Sequence, residues 1–142
     1  NKKFAELADM LVDQYGMKIV FTGGIKDYLI IQAITSSMKG RAINFAGKTT
    51  LTELAALYEK AALVISTDTG PMHLAVATGT PVVALFGPTA PWRTGPYGPG
   101  HHVIKAELEC SPCFKRRCET TDCMYQISMD QVLEGVQKVL GN

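Results

Sequence analysis

The segment from Ser66 to His73 combines residue types that suit the binding of an anion. It reads Ser-Thr-Asp-Thr-Gly-Pro-Met-His and follows a short apolar run that is typical of a buried strand. Pro71 suits the first turn of a helix, where its missing N–H costs nothing, so a helix is predicted directly behind Gly70. The free N–H groups and the positive dipole end of such a helix attract phosphate. Gly70 would let a ligand approach the backbone closely, and the imidazole of His73 could donate a hydrogen bond to the same anion.

Asp68 is the exception in this segment, because a carboxylate repels phosphate. It suits a helix cap or an acceptor for sugar hydroxyl groups. A purely structural interpretation is also open, in which Asp68 or Thr69 only caps the helix and His73 is a partly buried side chain. The Asp-Thr-Gly triplet also occurs in aspartic proteases, but those enzymes are all-β and pair two carboxylates, whereas a helix is predicted here.

Two further strand ends carry unusual residues, Thr22-Gly23-Gly24 and Gly87-Pro88-Thr89. Ligands of open parallel sheets bind beyond the carboxyl ends of the strands, so all three ends are candidate ligand-binding turns. A Walker phosphate loop is not predicted, because Ala42 stands where the motif that ends at Gly47-Lys48-Thr49 requires glycine.

The spacing of apolar residues predicts the elements that would position these turns. Helical spacing recurs over residues 4–15, 27–38, 51–61, 72–78 and 128–140, and short apolar runs predict strands at 17–21, 43–46, 63–66, 81–86 and 102–105. Ser128 and Gln131 are spaced to form a capping box for the last helix. The Gly- and Pro-rich stretch 87–101 is predicted to be a long surface loop. Alternating helices and uniformly apolar strands predict an α/β fold, a mostly parallel sheet with helices on both faces.

The composition excludes several classes of protein. The 142 residues are 46% hydrophobic and 19% charged, which is typical of one folded domain with a real core. The formal net charge of +1 provides no basic surface for nucleic acid or for an anionic membrane. The apolar runs are far shorter than the roughly 18 residues of a membrane span, and the start does not resemble a signal peptide. Because such folds begin with a strand and this sequence begins with a helix, we expect residues to precede Asn1.

Four cysteines lie together near the end of the sequence: Cys110, Cys113, Cys118 and Cys123. Their x2, x4, x4 spacing is that of a zinc knuckle with Cys in the usual His position, so a structural zinc is possible. Reduced thiols or a local disulfide are the alternatives. Zinc knuckles also bind single-stranded nucleic acid, but acidic residues balance the basic triplet at 115–117 and Phe114 is the only aromatic residue nearby, so nucleic acid is not an expected partner.

Other candidate residues have ordinary explanations. His101 and His102 are interpreted as an adventitious surface pair. Trp92 and Tyr97 could stack on a sugar, but lone aromatic residues in a loop more often anchor it by packing.

Two long segments, 68–75 and 79–89, resemble glycosyltransferase family 9, the ADP-heptose:lipopolysaccharide heptosyltransferases. Thr22-Gly23-Gly24, the segment 94–98 and the Cys-rich tail that ends in Cys123-Met124 match the same family pattern. The resemblance implies a GT-B enzyme built of two Rossmann-like domains. Residues 1–142 would be a single Rossmann-like domain, the C-terminal half that binds the nucleotide sugar, with a Cys-rich loop at 106–127 and with the N-terminal acceptor domain absent.

The resemblance also implies which residues bind the donor: Asp68, Thr69, Gly70, His73, Gly23, Gly24, Asp27 and Thr49. The backbone amides of Thr69 and Gly70 would hold the diphosphate, while Asp68 and His73 would contact the sugar or the phosphates. The two glycines and Asp27 would flank the nucleoside, and Thr49 would lie near the adenine.

The implied reaction is an inverting transfer of heptose from an ADP-sugar to the inner core of lipopolysaccharide, without a required cofactor. No catalytic dyad is found in the sequence, so the base is expected in the acceptor domain and this chain alone is expected to be inactive. The resemblance places the enzyme in the cytoplasm, with peripheral association at the inner face of the inner membrane. The alternative is a non-enzymatic nucleotide-binding or zinc-dependent interaction module.

Overall fold

The computed structural model describes residues 2–141. Its helices are α1 (Lys2–Tyr15), α2 (Tyr28–Ser37), α3 (Leu51–Glu59), α4 (Gly70–Ala77), α5 (Pro91–Thr94), α6 (Asp122–Tyr125) and α7 (Met129–Leu140). Its strands are β1 (Ile19–Phe21), β2 (Ala42–Asn44), β3 (Val64–Thr67), β4 (Val82–Phe86) and β5 (His102–Lys105). A 3-10 turn over Ile25–Asp27 precedes α2. The chain divides into two compact units, one up to Thr52 and one from Glu53.

The first unit contains α1, α2 and the parallel pair β1–β2, in which Ile19 lies opposite Ala42. The buried face of α1 consists of Ala5, Leu7, Ala8 and Leu11. On the same helix, Asp9 accepts hydrogen bonds from the backbone N–H groups of Lys39 and Gly40, at 3.0 and 2.9 Å. These two amides follow the end of α2, so the carboxylate joins the end of α2 to α1.

The second unit contains a three-stranded parallel sheet in the order β3-β4-β5, with β4 buried along its whole length. One core cluster joins α3, α4 and one face of the sheet: Tyr58, Val64, Met72, Ala75, Val82, Ala84 and Phe86. On the other face, α7 approaches β4 and β5 at Gly135, where an added Cβ would lie 3.2 Å from both Val83 and Ile104. Helices therefore cover both faces, and the predicted α/β fold with parallel strands is confirmed.

The start of α7 confirms the predicted capping box. The N–H of Gln131 donates to Ser128 Oγ at 3.2 Å, and the N–H of Ser128 donates to Gln131 Oε1 at 2.9 Å. Each side chain thus satisfies a backbone amide that the first turn of the helix leaves free.

The stretch 87–101 differs from its prediction as a simple surface loop. It contains the short helix α5, and Ala90 just before that helix is 1% exposed. A four-residue helix has too few residues to show helical periodicity in the sequence, and the same is true of α6. Between residues 2 and 141, no helix combines the length and the apolar character that a bilayer crossing requires.

Candidate functional site

The turn between β3 and α4 has the predicted strand–turn–helix form. β3 ends at Thr67, Thr69 is the extended residue that precedes α4, and Pro71 lies in the first helical turn. The hydroxyl of Thr69 does not cap the helix; it donates to the carbonyl of Thr67 at 3.2 Å. Thr69 is therefore the N-cap residue of α4, as the structural interpretation allowed, but its side chain does not make the capping hydrogen bond.

The first turn of α4 is open on the side of Gly70. A Cβ added to Gly70 would meet no heavy atom within 4 Å, so no neighbouring part of the described chain requires glycine there. The carbonyl of Thr69 accepts the N–H groups of Met72 and His73, at 3.1 and 3.5 Å. The N–H of Gly70 is the first of the helix and has no acceptor in a preceding helical turn.

Asp68 is held by a residue distant in sequence. The hydroxyl of Thr94, at the end of α5, donates to Asp68 Oδ2 at 2.7 Å. The other carboxylate oxygen, Oδ1, lies 3.9 Å from Nε2 of His73, a pair that becomes an ion pair when the imidazole is protonated. The side chain of Asp68 is 14% exposed and that of His73 is 53% exposed. The structure thus brings Asp68 and His73 together, and it does not use Asp68 as a helix cap.

The role of Thr94 was missed by reasoning from the sequence. Thr94 belongs to a segment that matches the family pattern, but no function followed from that match. Its contact with Asp68 joins residues 26 positions apart, and such a contact leaves no local pattern in the sequence. The only available signal was the concentration of Gly and Pro that predicts an ordered loop around it.

The third candidate turn, at the end of β4, is covered by the Cys-rich loop. Ser111 Oγ donates to the carbonyl of Gly87 at 2.7 Å. The N–H groups of Cys113 and Phe114 donate to the carbonyl of Pro88 at 3.0 and 2.8 Å. The loop therefore takes up the carbonyl groups of Gly87 and Pro88 at this strand end, and its role as a ligand-binding turn stays a prediction.

In the first unit, Asp27 holds the turn that follows β1. Its Oδ2 accepts the N–H of Gly24 at 2.8 Å, and a Cβ added to Gly23 would lie 2.9 Å from the same oxygen. The carbonyl of Gly23 accepts the N–H of Gly47 at 2.9 Å. Asp27 precedes α2 as predicted, but its side chain makes no hydrogen bond to that helix. Gly23, Gly24 and Asp27 thus form one local turn.

Thr49 is half-buried and follows the Gly47 turn of the same unit. Gly47 has a φ of +68°, a left-handed conformation that glycine adopts without a steric penalty. Beside Thr49, the ammonium group of Lys48 lies 5.5 Å from the centre of the Tyr28 ring. Thr49 thus follows a turn that is shaped by the left-handed Gly47 and contacted by Tyr28 through Lys48.

The cysteines are free, and a metal site is not indicated. Within residues 2–141, no group of three or more His, Cys, Asp or Glu side chains could hold a metal ion. The interpretation of the two histidines as a surface pair is wrong. His101 Nδ1 accepts the N–H of Val82 at 3.1 Å, and His102 lies in β5 against Gly135.

The two loop aromatic residues do not anchor their loop. Trp92 is 75% exposed and Tyr97 is 91% exposed, so the packing interpretation is wrong for both. The ammonium group of Lys105 lies 5.7 Å from the centre of the Trp92 ring, a cation–π contact at the surface.

Comparisons with known sequences agree with one another. The sequence profile of glycosyltransferase family 9 (heptosyltransferase) matches residues 1–124. Lipooligosaccharide heptosyltransferase 2 of Haemophilus influenzae is 36% identical over 106 residues, which is 72% of this chain and 30% of that protein. Lipopolysaccharide heptosyltransferase 2 of Escherichia coli is 34% identical over 106 residues, again 72% of this chain and 30% of that protein. The chain therefore spans less than a third of these relatives.

Solved structures show the same likeness. The glycosyltransferase family 9 protein of Veillonella parvula matches with a TM-score of 0.83 and 32% identity, over 97% of this chain and 40% of that one. The ADP-heptose lipopolysaccharide heptosyltransferase II of Escherichia coli matches with a TM-score of 0.82 and 27% identity, over 98% of this chain and 40% of that one.

Proposed function

Because the chain belongs to glycosyltransferase family 9 and has the α/β fold found within its GT-B enzymes, we propose that it is the C-terminal, donor-binding half of an inverting heptosyltransferase. The complete enzyme would transfer heptose from an ADP-heptose-type donor to the inner core of lipopolysaccharide. The names of the relatives support this substrate pair, since the Escherichia coli structure is that of an ADP-heptose enzyme. Residues 1–142 would form one nucleotide-sugar-binding domain that carries the Cys-rich loop at 106–127.

The open first turn of α4 beside Asp68 is the observation that carries this proposal. When the bond between the anomeric carbon and the diphosphate breaks, negative charge grows on the leaving diphosphate. Amides fixed at a helix N-terminus stabilise such charge without reorganising. The N–H groups of Thr69 and Gly70 would hold the diphosphate, and His73, which is half exposed, would donate a further hydrogen bond to it.

Asp68 would accept a hydrogen bond from a sugar hydroxyl rather than contact a phosphate. Its Oδ2 already accepts the hydroxyl of Thr94 and its Oδ1 faces His73, so its negative charge is partly compensated within the turn. A carboxylate held in this way can bind the sugar of the donor while the helix amides bind the diphosphate. This division of roles removes the conflict between a carboxylate and a nearby anion.

In the first unit, Gly23, Gly24 and Thr49 would contact the nucleoside, with Thr49 near the adenine. Asp27 would contribute by holding the Gly23–Gly24 turn through its bond to the N–H of Gly24. The two glycines would let the backbone approach the ribose without a side chain in between.

The acceptor hydroxyl must lose a proton during transfer, and the base that takes it would lie in the acceptor domain of the complete enzyme. This chain alone would therefore bind donor without transferring sugar, and catalysis would need no cofactor. We place the complete enzyme in the cytoplasm, associated peripherally with the inner face of the inner membrane, because its acceptor is a lipid.

A thermal-shift panel on the full-length protein tests the proposal. ADP and an ADP-sugar should raise Tm in the presence of a chelator, whereas the UDP, GDP and CMP sugars should raise it less. Stabilisation by a ligand that binds only the folded state grows with its concentration relative to Kd, about 2.7 kcal/mol at a hundredfold excess over Kd. The proposal is wrong if no adenine nucleotide shifts Tm or if the shift requires a metal ion. Stabilisation by ADP together with no sugar transfer would favour the non-enzymatic nucleotide-binding alternative.

A further inference from the structure

The four cysteines, which the proposed transfer reaction does not use, share one cavity in the second unit. The cavity has a volume of about 210 Å³, and its lining includes Cys110, Cys113, Cys118 and Cys123 together with Lys115 and Arg116. Asp122 also lines it, so the surroundings are positive on balance without being purely basic. Cysteines that react with oxidants sit in such electropositive, partly exposed surroundings.

The cavity is held firmly against the sheet. Besides the backbone bonds to Pro88, the side chains of Cys123 and Met124 lie directly on Gly87, where an added Cβ would come within 3.1 Å of Cys123 Sγ. Phe114 lies under the guanidinium of Arg93, at 5.6 Å from the ring centre. The thiols are thus presented by a docked segment rather than by a free tail.

Cys118 and Cys123 differ in the chemistry of their sulfur atoms. Hydrogen bonds from the backbone N–H groups of Thr121 and Thr120 lower the pKa of Cys118, with smaller contributions from the Thr120 hydroxyl and the Lys115 charge. Burial raises the pKa of Cys123, and the neighbouring Cys113 and Cys118 sulfurs raise it further. Cys118 is exposed, whereas Cys123 is half-buried, so the accessible thiol is also the one favoured as thiolate.

One tight turn lies between these two residues in the sequence, and both line the same cavity. Thr121 has a φ of +51°, which is unusual for a β-branched residue, and its carbonyl accepts the N–H of Met124 at 2.9 Å. The same turn supplies the amides that bond to Cys118, and Cys123 follows within the first turn of α6. Strained backbone of this kind persists where the surrounding structure holds it, and it concentrates at reactive sites.

We propose that Cys118 is a hydroperoxide-reactive thiol and that Cys123 resolves its oxidised form as an intramolecular disulfide. In the first step the Cys118 thiolate attacks one peroxide oxygen, the O–O bond breaks, and Cys118 becomes a sulfenic acid while the other oxygen leaves as hydroxide or alkoxide. In the second step the sulfur of Cys123 attacks the sulfur of Cys118, and the hydroxyl group leaves with the Cys123 proton as water. The two sulfurs together lose two electrons, and the peroxide gains them.

Alkylation of the wild-type protein tests the first half of this proposal without any variant. The reduced full-length protein is treated with limiting iodoacetamide, and the modified peptides are quantified over time. Cys118 should be alkylated about tenfold faster than Cys123, because only the thiolate is nucleophilic. Equal rates at all four cysteines would overturn the proposal, as would thiols that stay unreactive until a chelator removes bound zinc.

Three serine variants test the second half, each treated with hydrogen peroxide in the presence of dimedone. The wild type and Cys110→Ser, the matched control in the same cavity, should form a disulfide between Cys118 and Cys123 that dithiothreitol reverses. Cys123→Ser should give a dimedone adduct at Cys118 instead, and Cys118→Ser should lower the rate of disulfide formation at least about tenfold. In the wild type or in Cys110→Ser, a peroxide-induced disulfide that lacks Cys118 would overturn the proposal, as would a Cys118→Ser variant that is oxidised at the wild-type rate.

Discussion

Carboxylates have different partners in the two units of this chain. In the first unit, Asp9 and Asp27 accept backbone N–H groups, from Lys39 and Gly40 in one case and from Gly24 in the other. In the second unit, Asp68 instead accepts the hydroxyl group of Thr94, carried by another helix, and faces the imidazole of His73. The first two carboxylates satisfy backbone amides of turns and helix ends, and these hydrogen bonds explain why an aspartate occurs at each position. The local backbone gives no such reason for Asp68, and this difference favours a role in ligand binding.

Removing the negative charge of Asp68 should produce the largest loss of transferase activity. Asp68→Asn keeps the shape of the side chain and an acceptor for Thr94, but it removes the negative charge proposed to bind the sugar. We expect kcat/KM for the ADP-sugar to fall about a hundredfold, the loss typical of removing one preorganised polar group from an active site. Tm should change little, because Asp68 is not a helix cap.

The matched variant in the first unit is Asp27→Asn, assayed in the same way on the full-length protein. It should lower Tm, because the bond to the N–H of Gly24 is weakened. Its effect on kcat/KM should be much smaller than that of Asp68→Asn. The contrast between the two carboxylates does not hold if Asp68→Asn lowers Tm as much as Asp27→Asn does and if its loss of activity is no larger than the loss of folded protein explains.

The two candidate turns also differ in why they contain glycine. Gly70→Ala adds a methyl group to open space, so the folded chain should tolerate it, whereas a ligand that approaches the backbone should not. We expect Kd for ADP to rise about tenfold, which corresponds to about 1.4 kcal/mol, with Tm of the ligand-free protein unchanged. Isothermal titration calorimetry and a thermal melt measure both quantities.

Gly23→Ala should differ from Gly70→Ala in its effect on the ligand-free protein. Its Cβ would lie 2.9 Å from Asp27 Oδ2 and 3.1 Å from Asp27 Cβ, so the capped turn must shift and Tm should fall. A Gly70→Ala variant that binds ADP as tightly as the wild type would remove the role proposed for the open end of α4.

The sequence predicted the β3–α4 turn because every signal for it is local. An apolar run precedes it, Gly70 and Pro71 mark the start of the helix, and His73 follows three residues after Gly70. The hydrogen bonds from Thr94 to Asp68 and from Ser111 to Gly87 were not predicted, because they join residues that are 26 and 24 positions apart in the sequence. The chemistry of a turn can be predicted from its own residues, whereas the contacts that orient its side chains depend on tertiary structure.

Removing the hydroxyl of Thr94 should have a moderate effect. Thr94→Val keeps the volume of the side chain but leaves Asp68 Oδ2 without its 2.7 Å partner. We expect KM for the donor to rise about tenfold, because a hydrogen bond to a charged group contributes about 1.5 kcal/mol. Thr94→Ser should restore most of the wild-type value, which separates positioning of Asp68 from simple packing. An unchanged KM for Thr94→Val would show that Asp68 needs no partner from α5.

The smallest effect concerns stability in acid. The backbone N–H groups of Lys39 and Gly40, and to a lesser extent the charge of Lys39, lower the pKa of Asp9. Because the folded pKa lies below the unfolded value of about 3.9, the carboxylate stabilises the fold fully above that pH and loses this contribution as the pH falls through the folded pKa. Asp9→Asn should therefore be slightly less stable than the wild type at pH 7, and the difference should shrink as the pH falls below the unfolded value of about 3.9.

Urea denaturation at pH 7, 5, 4 and 3 measures this difference, with Asp13→Asn on the same helix as the matched control, since Asp13 is exposed. The control should not change the free energy of unfolding at pH 7. Donor affinity at pH 7 should be the same in Asp9→Asn and the wild type, because Asp9 serves the end of α2 and not a ligand. A loss of donor affinity in Asp9→Asn at unchanged stability would contradict the assignment of first-unit carboxylates to the backbone, and the contrast with Asp68 would then have to rest on Asp27 alone.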